Sequence, residues 1–379
     1  RNIFHRSQYN GIFPQVQLSY FHIVRAYVLL FKTEIRLLAA HIALIPVQRY
    51  IFVTLQTSKI TAAHKNQAKN CCKMPYHTNK KAFYTDASGI LLMRFILTSV
   101  ACAVTASGAS YLLAEYVWSN TGYTAELRTT LLRVFQIAAS IVMFALPAAI
   151  FWRRTGYGIK NGLRLSAPKW RTVAYAVIIM FAIQPFIQFI VMFTRDFLEY
   201  SLSADTFAGL KNIQAVRENA INAITGDKSW GSFPLSIIIL GLVPALTEEF
   251  FFRGTLQRLL LRVTHRGYLA ILITSAVFTA VHFDYFNCAG IFVCSVVLGY
   301  LYLYSSSLWV PVAFHFASNS WNILMMYLIA ATGYDADAGT SRIPWWSALI
   351  SAAMILLVMR IMRNASYMER RKGHVTLRK

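Results

Sequence analysis

Long apolar blocks constrain this chain more than any other feature, and they lie near residues 90–112, 127–151, 172–194, 234–261, 268–283, 288–304, 308–330 and 345–361. Most approach the length needed to cross about 30 Å of hydrocarbon. Inside hydrocarbon a backbone must satisfy its own hydrogen bonds, which leaves helices and closed barrels. Weak alternation and frequent Gly, Ala and Ser favour packed helices over a barrel. The expectation is therefore an all-α fold: a polytopic membrane helical bundle of about eight transmembrane helices, with a short turn separating two short spans within 268–304. Composition agrees, since 56% of the 379 residues are hydrophobic and only 14% are charged. That charged share is about half of what a soluble protein carries.

A formal net charge of +22 would suggest nucleic acid in a soluble chain. Here the loops explain it, because Lys and Arg collect in short cytoplasmic connections of membrane proteins. The segment with Arg153, Arg154, Lys160, Arg164, Lys169 and Arg171 contains no acid, and neither does the turn with Arg258, Arg262 and Arg266. The tail 363–379 holds Arg363, Arg370, Arg371, Lys372, Arg378 and Lys379 against Glu369 alone. Intervening connections carry Glu115 and Glu126, a mixed 195–233 segment, and Asp335 with Asp337. The chain is thus expected to be a multi-pass protein of the cell membrane with both ends of the bundle cytoplasmic. Its expected surroundings are the lipid bilayer, with no nucleic-acid partner. Residues 1–85 read as a basic leader, poorly ordered or peripheral, with Glu34 as its one acid and Met74 as a natural first residue of the bundle. Five scattered cysteines give neither a disulfide framework nor a metal knuckle.

Within the fourth block stands "TEEFFFRG", residues 247–254, where three ionisable groups interrupt a run otherwise suited to lipid. Such groups are costly in a span and normally face a bundle interior or a wet cavity. Glu249 and Arg253 are four apart, so they share a helix face and are expected to form an internal ion pair. Glu248 is turned about 100° away from Glu249 and has no local cationic partner on its helix. An unpaired buried carboxylate can act as a general base or acid.

Two later blocks carry matching groups. "FTAVH" sets Phe278 and His282 on one face, and "HFASN" does the same with His315 and Asn319. If these converge, Glu248 and His282 can hold a water and remove its proton. The imidazole of His315 and the amide of Asn319 can receive charge developing on a carbonyl oxygen, as an oxyanion hole requires. A zinc site built from Glu248, His282 and His315 is the chemical alternative, although HExxH spacing is absent. Depth poses a difficulty: counted from Ser307, His315 is only about 8 residues into its helix, roughly 12 Å. Tilt, or a break near Pro311, would have to bring it level with Glu248.

At these residues the chain resembles the CPBP family, the CAAX protease and bacteriocin-processing group of intramembrane endopeptidases. "EEFFFR" is similar to its EExxxR motif, "FTAVH" to FxxxH and "HFASN" to HxxxN, in the same order, and the resemblance spans roughly residues 90–361. It implies an eight-helix core with a cavity inside the bilayer, so that residues 86–362 form a CPBP-type protease domain. It further implies that Glu248 and His282 activate water, Glu249 and Arg253 support the site, and His315 with Asn319 forms the oxyanion hole, with no cofactor. The substrate implied is a membrane-associated protein or peptide, possibly lipidated. Alternatives to such an endopeptidase are the zinc-dependent membrane metalloprotease and a non-catalytic immunity or scaffold protein. A transporter would require inverted repeats, and none is visible.

The 195–233 connection is the one sizeable segment outside the blocks. "FAGLKNIQAVRENAINAI" has helical spacing, with Leu210, Ile213, Val216, Ala220 and Ile224 on one side, as for a helix lying against the bundle. A structural lid and a substrate gate are both open readings of it. Asn322, seven residues after His315, either extends a polar wall or packs, and Asp284 is expected at the outer interface.

Overall fold

The computed structural model describes residues 88–119, 122–333 and 343–376. The leader expected over 1–85 lies outside them, as do Asp335, Asp337, Cys71 and Cys72. The described chain is helical: α1 is Ser88–Ser119, α2 Ala125–Arg154, α3 the short Ile159–Leu163, α4 Trp170–Ser201 and α5 Ala204–Thr225. There follow α6 Phe233–Thr264, α7 Gly267–Ala280, α8 Cys288–Ser305, α9 Trp309–Thr332 and α10 Trp345–Thr376.

Six of these helices are long and apolar enough to cross a membrane: α1, α2, α4, α6, α8 and α10. The other two expected spans differ in kind. Helix α7 has 14 residues, about 21 Å of rise, which is short of the hydrocarbon thickness. Helix α9 has the length, but His315, Ser318, Asn319, Ser320 and Asn322 dilute its apolar character. The short turn expected between 268 and 304 is Val281–Asn287.

Two side-chain clusters hold the bundle. One joins Phe95, Trp152, Leu163, Phe252, Leu259, Phe278 and Val312; the other joins Ile179, Met180, Leu298, Leu301, Val310, Phe314 and Ile355. The helices within them are not uniform. Segments Ile141–Ala145 and Ile237–Leu242 widen to π geometry, and each is followed closely by proline, Pro147 and Pro244. A proline ring collides with the carbonyl four residues back. In both helices that carbonyl lies inside the widened turn, so the π segment absorbs the proline without breaking the rod.

Helix α5 is the helix expected in the 195–233 connection. Ser203 caps its start by accepting from the Thr206 N–H, and Gly226 ends it at φ 74°. Its rotation, however, corrects the expected apolar face. Phe207 and Thr225 are buried and Leu210, Gln214, Arg217 and Ile221 half-buried, whereas Ile213, Val216 and Ala220 are exposed. Polar anchors decide this orientation. Arg133 of α2 donates from Nε to the Ile224 carbonyl at 2.8 Å and from an Nη to that of Thr225 at 3.1 Å, capping the helix end. Arg217 pairs with the buried Asp284.

Candidate active site

The site is built around a third π segment, Phe252–Gln257, which begins three residues after Glu249. No proline causes this one. The Thr255 hydroxyl donates to the Phe250 carbonyl five residues back and accepts from Trp152 Nε1, each at 3.0 Å, so a side chain occupies the widened turn. Gly254 sits where α3 and the start of α9 press in. A Cβ there would lie 2.6 Å from Leu163 and 3.4 Å from Leu308.

Glu249 and Arg253 pair at 2.7 Å as the spacing predicts, and both side chains are fully buried. The remaining partners come from other helices. Arg253 donates to the Ser295 hydroxyl at 2.7 Å and its carbonyl at 3.1 Å on α8, and its guanidinium lies 4.6 Å from the centre of the Phe278 ring. One turn on, Gln257 donates to the Gly299 carbonyl at 3.1 Å. Two residues four apart on α6 thus hold two residues four apart on α8. Sequence reasoning missed Ser295; its spacing from Gly299, a small-xxx-small pair, was the available signal.

Glu248 points into a different gap, as its helical angle requires. Its Oε2 atom is buried without a hydrogen-bond partner and lies 3.9 Å from both His282 Nε2 and His315 Nε2. The other nitrogen of each ring is committed. His282 Nδ1 is 2.7 Å from the Phe278 carbonyl, and His315 Nδ1 is 2.9 Å from Glu249 Oε1. A carbonyl or carboxylate oxygen can only accept, so both Nδ1 atoms donate. Each neutral imidazole then turns its Nε2 lone pair toward Glu248. Three acceptors facing one another repel unless a proton, or a water donating two, lies between them. Phe278 walls this gap, its ring centre 4.4 Å from that of His282 and 6.0 Å from that of His315.

The expected depth mismatch of His315 does not arise. Counting from Ser307 assumed that this residue marks the bundle surface, whereas Ser307 and Leu308 are buried. The Ser307 hydroxyl donates to the Ser166 carbonyl and the Leu308 N–H to that of Arg164, so α9 starts inside the bundle beneath the 164–169 strand of chain. Pro311 lies in the first helical turn, where it breaks nothing. Asn319 follows His315 by one turn, half-buried and outside the hydrogen-bonded set. Asn322 is exposed rather than packed.

His282 itself lies beyond the end of α7, on the turn 281–287. Phe283 next to it has φ 48°, a conformation that bulky residues adopt only under constraint. Asp284 supplies that constraint. It is buried, accepts from the backbone and side-chain N–H of Asn287 at 2.9–3.1 Å, and pairs with Arg217 of α5, outside the catalytic gap.

The zinc alternative can be tested against this geometry. A tetrahedral zinc with bonds of about 2.0–2.2 Å sets its donors about 3.3 Å apart. Both carboxylate–imidazole separations are 3.9 Å, and among the described residues no group of three or more His, Cys, Asp or Glu could hold a metal ion. The trio does not fit zinc as it stands.

No curated protein and no solved structure matches this chain. A protein-family model does match: the Rce1-like family, described as type II CAAX prenyl endopeptidase Rce1-like, over residues 230–321. That stretch, about a quarter of the chain, runs from the start of α6 into α9 and contains Glu248, Glu249, Arg253, His282, His315 and Asn319. Residues 230–321 therefore carry a CAAX-protease-like domain, set within a multi-span membrane bundle.

Proposed function

We propose that this protein is an intramembrane endopeptidase that hydrolyses a peptide bond of a membrane-associated substrate with water activated by Glu248 and His282. One observation carries the reading. A buried carboxylate oxygen without a partner faces two imidazole nitrogens at 3.9 Å, while each ring is fixed through its other nitrogen. A water in that gap can donate to Glu248 and to one Nε2.

In the proposed reaction Glu248 takes a proton as the water oxygen attacks the scissile carbonyl carbon. Charge then develops on the carbonyl oxygen, and donors must meet it. Asn319 offers its amide. His315 already spends Nδ1–H on Glu249, so it reaches an oxyanion only through Nε2–H, which requires the imidazolium. Glu249 and Arg253 neutralise each other; the charged Glu248 balances that imidazolium before the attack, and the oxyanion balances it afterwards. Glu248 then returns its proton to the departing amine nitrogen and the C–N bond breaks; the remaining proton of the attacking water passes from the new carboxylic acid to the amine, leaving a carboxylate and an ammonium. Helices α7 and α9 are proposed to complete an eight-helix core over residues 86–362. The basic 153–171 and 363–379 segments are proposed to face the cytoplasm, with α5 opposite.

The test uses purified protein in bilayers with a cleavable membrane peptide. Glu248→Gln should fold normally and lower turnover about 10²-fold or more, and Asn319→Ala should cost roughly 10²–10³-fold. Wild-type turnover by folded Glu248→Gln protein would exclude the carboxylate as the base.

A further inference from the structure

Two hydroxyls on α7 behave unlike their counterparts elsewhere in the bundle. The hydroxyls of Thr98, Thr105, Thr194, Thr247 and Thr264 each donate to the carbonyl one turn back. That local bond is open to any helical hydroxyl without another partner. Thr279 of α7 uses it too, at 2.9 Å from the Ser275 carbonyl. Thr274 and Ser275 of the same helix do not. Each is 1% exposed, and each hydroxyl oxygen is buried without a hydrogen-bond partner among the described residues.

Helix α7 packs against α6 and α8. Ile271, Thr274, Ser275 and Phe278 recur at helical spacing on its buried face, and contacts pin both ends of that face. A Cβ on Gly299 of α8 would lie 2.8 Å from Ile271 and 3.1 Å from Gln257 Oε1. The Arg253 guanidinium lies over the Phe278 ring at 4.6 Å. Thr274 and Ser275 stand between these contacts, about 4.5–6 Å of helix rise from either end. Two more buried atoms of the same tier lack a hydrogen-bond partner among the described residues, Arg253 Nε and Gln257 Oε1.

The mixture of these four groups selects a ligand. Arg253 Nε only donates, Gln257 Oε1 only accepts, and the two hydroxyls do both. Arg253 and Gln257 lie one turn apart, about 6 Å of rise, which is close to the span of two hydrogen bonds of about 2.9 Å through a single bridge. A metal cation on the three oxygens would sit beside a guanidinium, and an anion would face the lone pairs of Gln257. Water both donates and accepts, and a buried water typically takes about three polar partners.

We propose that Arg253, Gln257, Thr274 and Ser275 form an internal water site where α6, α7 and α8 meet. Thr274 and Ser275 are positioning residues in it. Through the bound water they satisfy Arg253 Nε, the nitrogen of that side chain that Glu249 and Ser295 leave unbonded. The buried cation is then hydrogen-bonded at every nitrogen and held where it neutralises Glu249. The water site does not depend on the endopeptidase reading, since Glu248 and His282 take no part in it.

The test is hydroxyl-radical footprinting by X-ray radiolysis, on the full-length protein in bilayer discs. Radicals form from water in place and oxidise the nearest side chain, so a buried residue is labelled only beside internal water. Ile271 borders the tier, whereas Ile179 is buried as deeply in the apolar cluster with Leu298 and Phe314. The wild-type protein should show oxidised Ile271 and unoxidised Ile179. Thr274→Val with Ser275→Ala should lose the Ile271 label, and Thr274→Ser should keep it. Unfolding of the double variant would show as oxidised Ile179. The single variants Thr274→Val and Ser275→Ala then replace it, each with a reduced label at Ile271. Ile271 no more oxidised than Ile179, or a label that survives loss of the hydroxyls, overturns the water site.

Discussion

Removing the Arg253 guanidinium is the sharpest test of how the site is held. Arg253→Met fills a comparable volume with an apolar side chain but deletes four contacts at once: Glu249 at 2.7 Å, the Ser295 hydroxyl at 2.7 Å, its carbonyl at 3.1 Å and the face of Phe278 at 4.6 Å. Glu249 then remains fully buried, with only the His315 Nδ1–H at 2.9 Å to answer its charge. Breaking a buried pair by removing one partner costs about 3–5 kcal/mol, because the other charge stays desolvated. That range should apply in full here, since neither side chain touches solvent.

Glu249→Gln keeps a carbonyl oxygen for the His315 Nδ1–H while removing the charge. The double variant Glu249→Gln with Arg253→Met should therefore recover a large part of the loss. A double-mutant cycle on unfolding in mixed micelles should return a favourable coupling of about 0.5–3 kcal/mol or more. A double variant less stable than Arg253→Met alone would refute the argument that an orphaned carboxylate causes the damage.

Other consequences follow from particular contacts. Arg217→Gln releases the buried Asp284 and so the turn that carries His282; kcat should fall with little change in KM, and Arg217→Lys should restore part of it. Gly299→Ala puts a Cβ 2.8 Å from Ile271 and 3.1 Å from the side-chain Oε1 of Gln257, so thermal unfolding should register a loss of about 1–3 kcal/mol. With single cysteines in a cysteine-free background, an impermeant maleimide should reach the exposed positions Ser166→Cys and Asn219→Cys from opposite sides of the membrane. Labelling of both from one side would overturn the orientation inferred from loop charge.

Much of the bundle was legible because the hydrocarbon core imposes a length and a polarity at once, and six helices satisfy both. The ion pair of Glu249 and Arg253 was legible because four residues of helix fix the geometry, and Glu248 diverged for the same reason. What spacing could not supply was the contribution of other helices. Ser295 reaches Arg253 across an interface, and the 164–169 chain lays Ser307 inside the bundle, which removed the apparent depth error for His315. Apolar periodicity also misplaced the buried side of α5. Ile213 and Val216 ranked as its core by hydrophobicity, yet Arg133 and Arg217 turn the helix by their hydrogen bonds and ion pair. In a membrane protein an exposed isoleucine costs little where lipid can meet it, so polar anchors outweigh apolar pattern in setting rotation.

The adjacency of two glutamates acquires a physical meaning from these contacts. Neighbouring residues on a helix diverge by about 100°, so one α6 turn addresses two environments. Glu249 faces α8, where Arg253 cancels its charge and Ser295 holds the cation in place. The same Oε1 atom that accepts from Arg253 also fixes His315 through Nδ1. Glu248 faces the gap in front of both imidazoles and has no fixed counter-charge within hydrogen-bonding range. Were Glu249 not neutralised, two like charges would stand side by side in front of the same imidazoles. The cation four residues on thus makes one glutamate inert. It leaves the other as the carboxylate that faces both histidines.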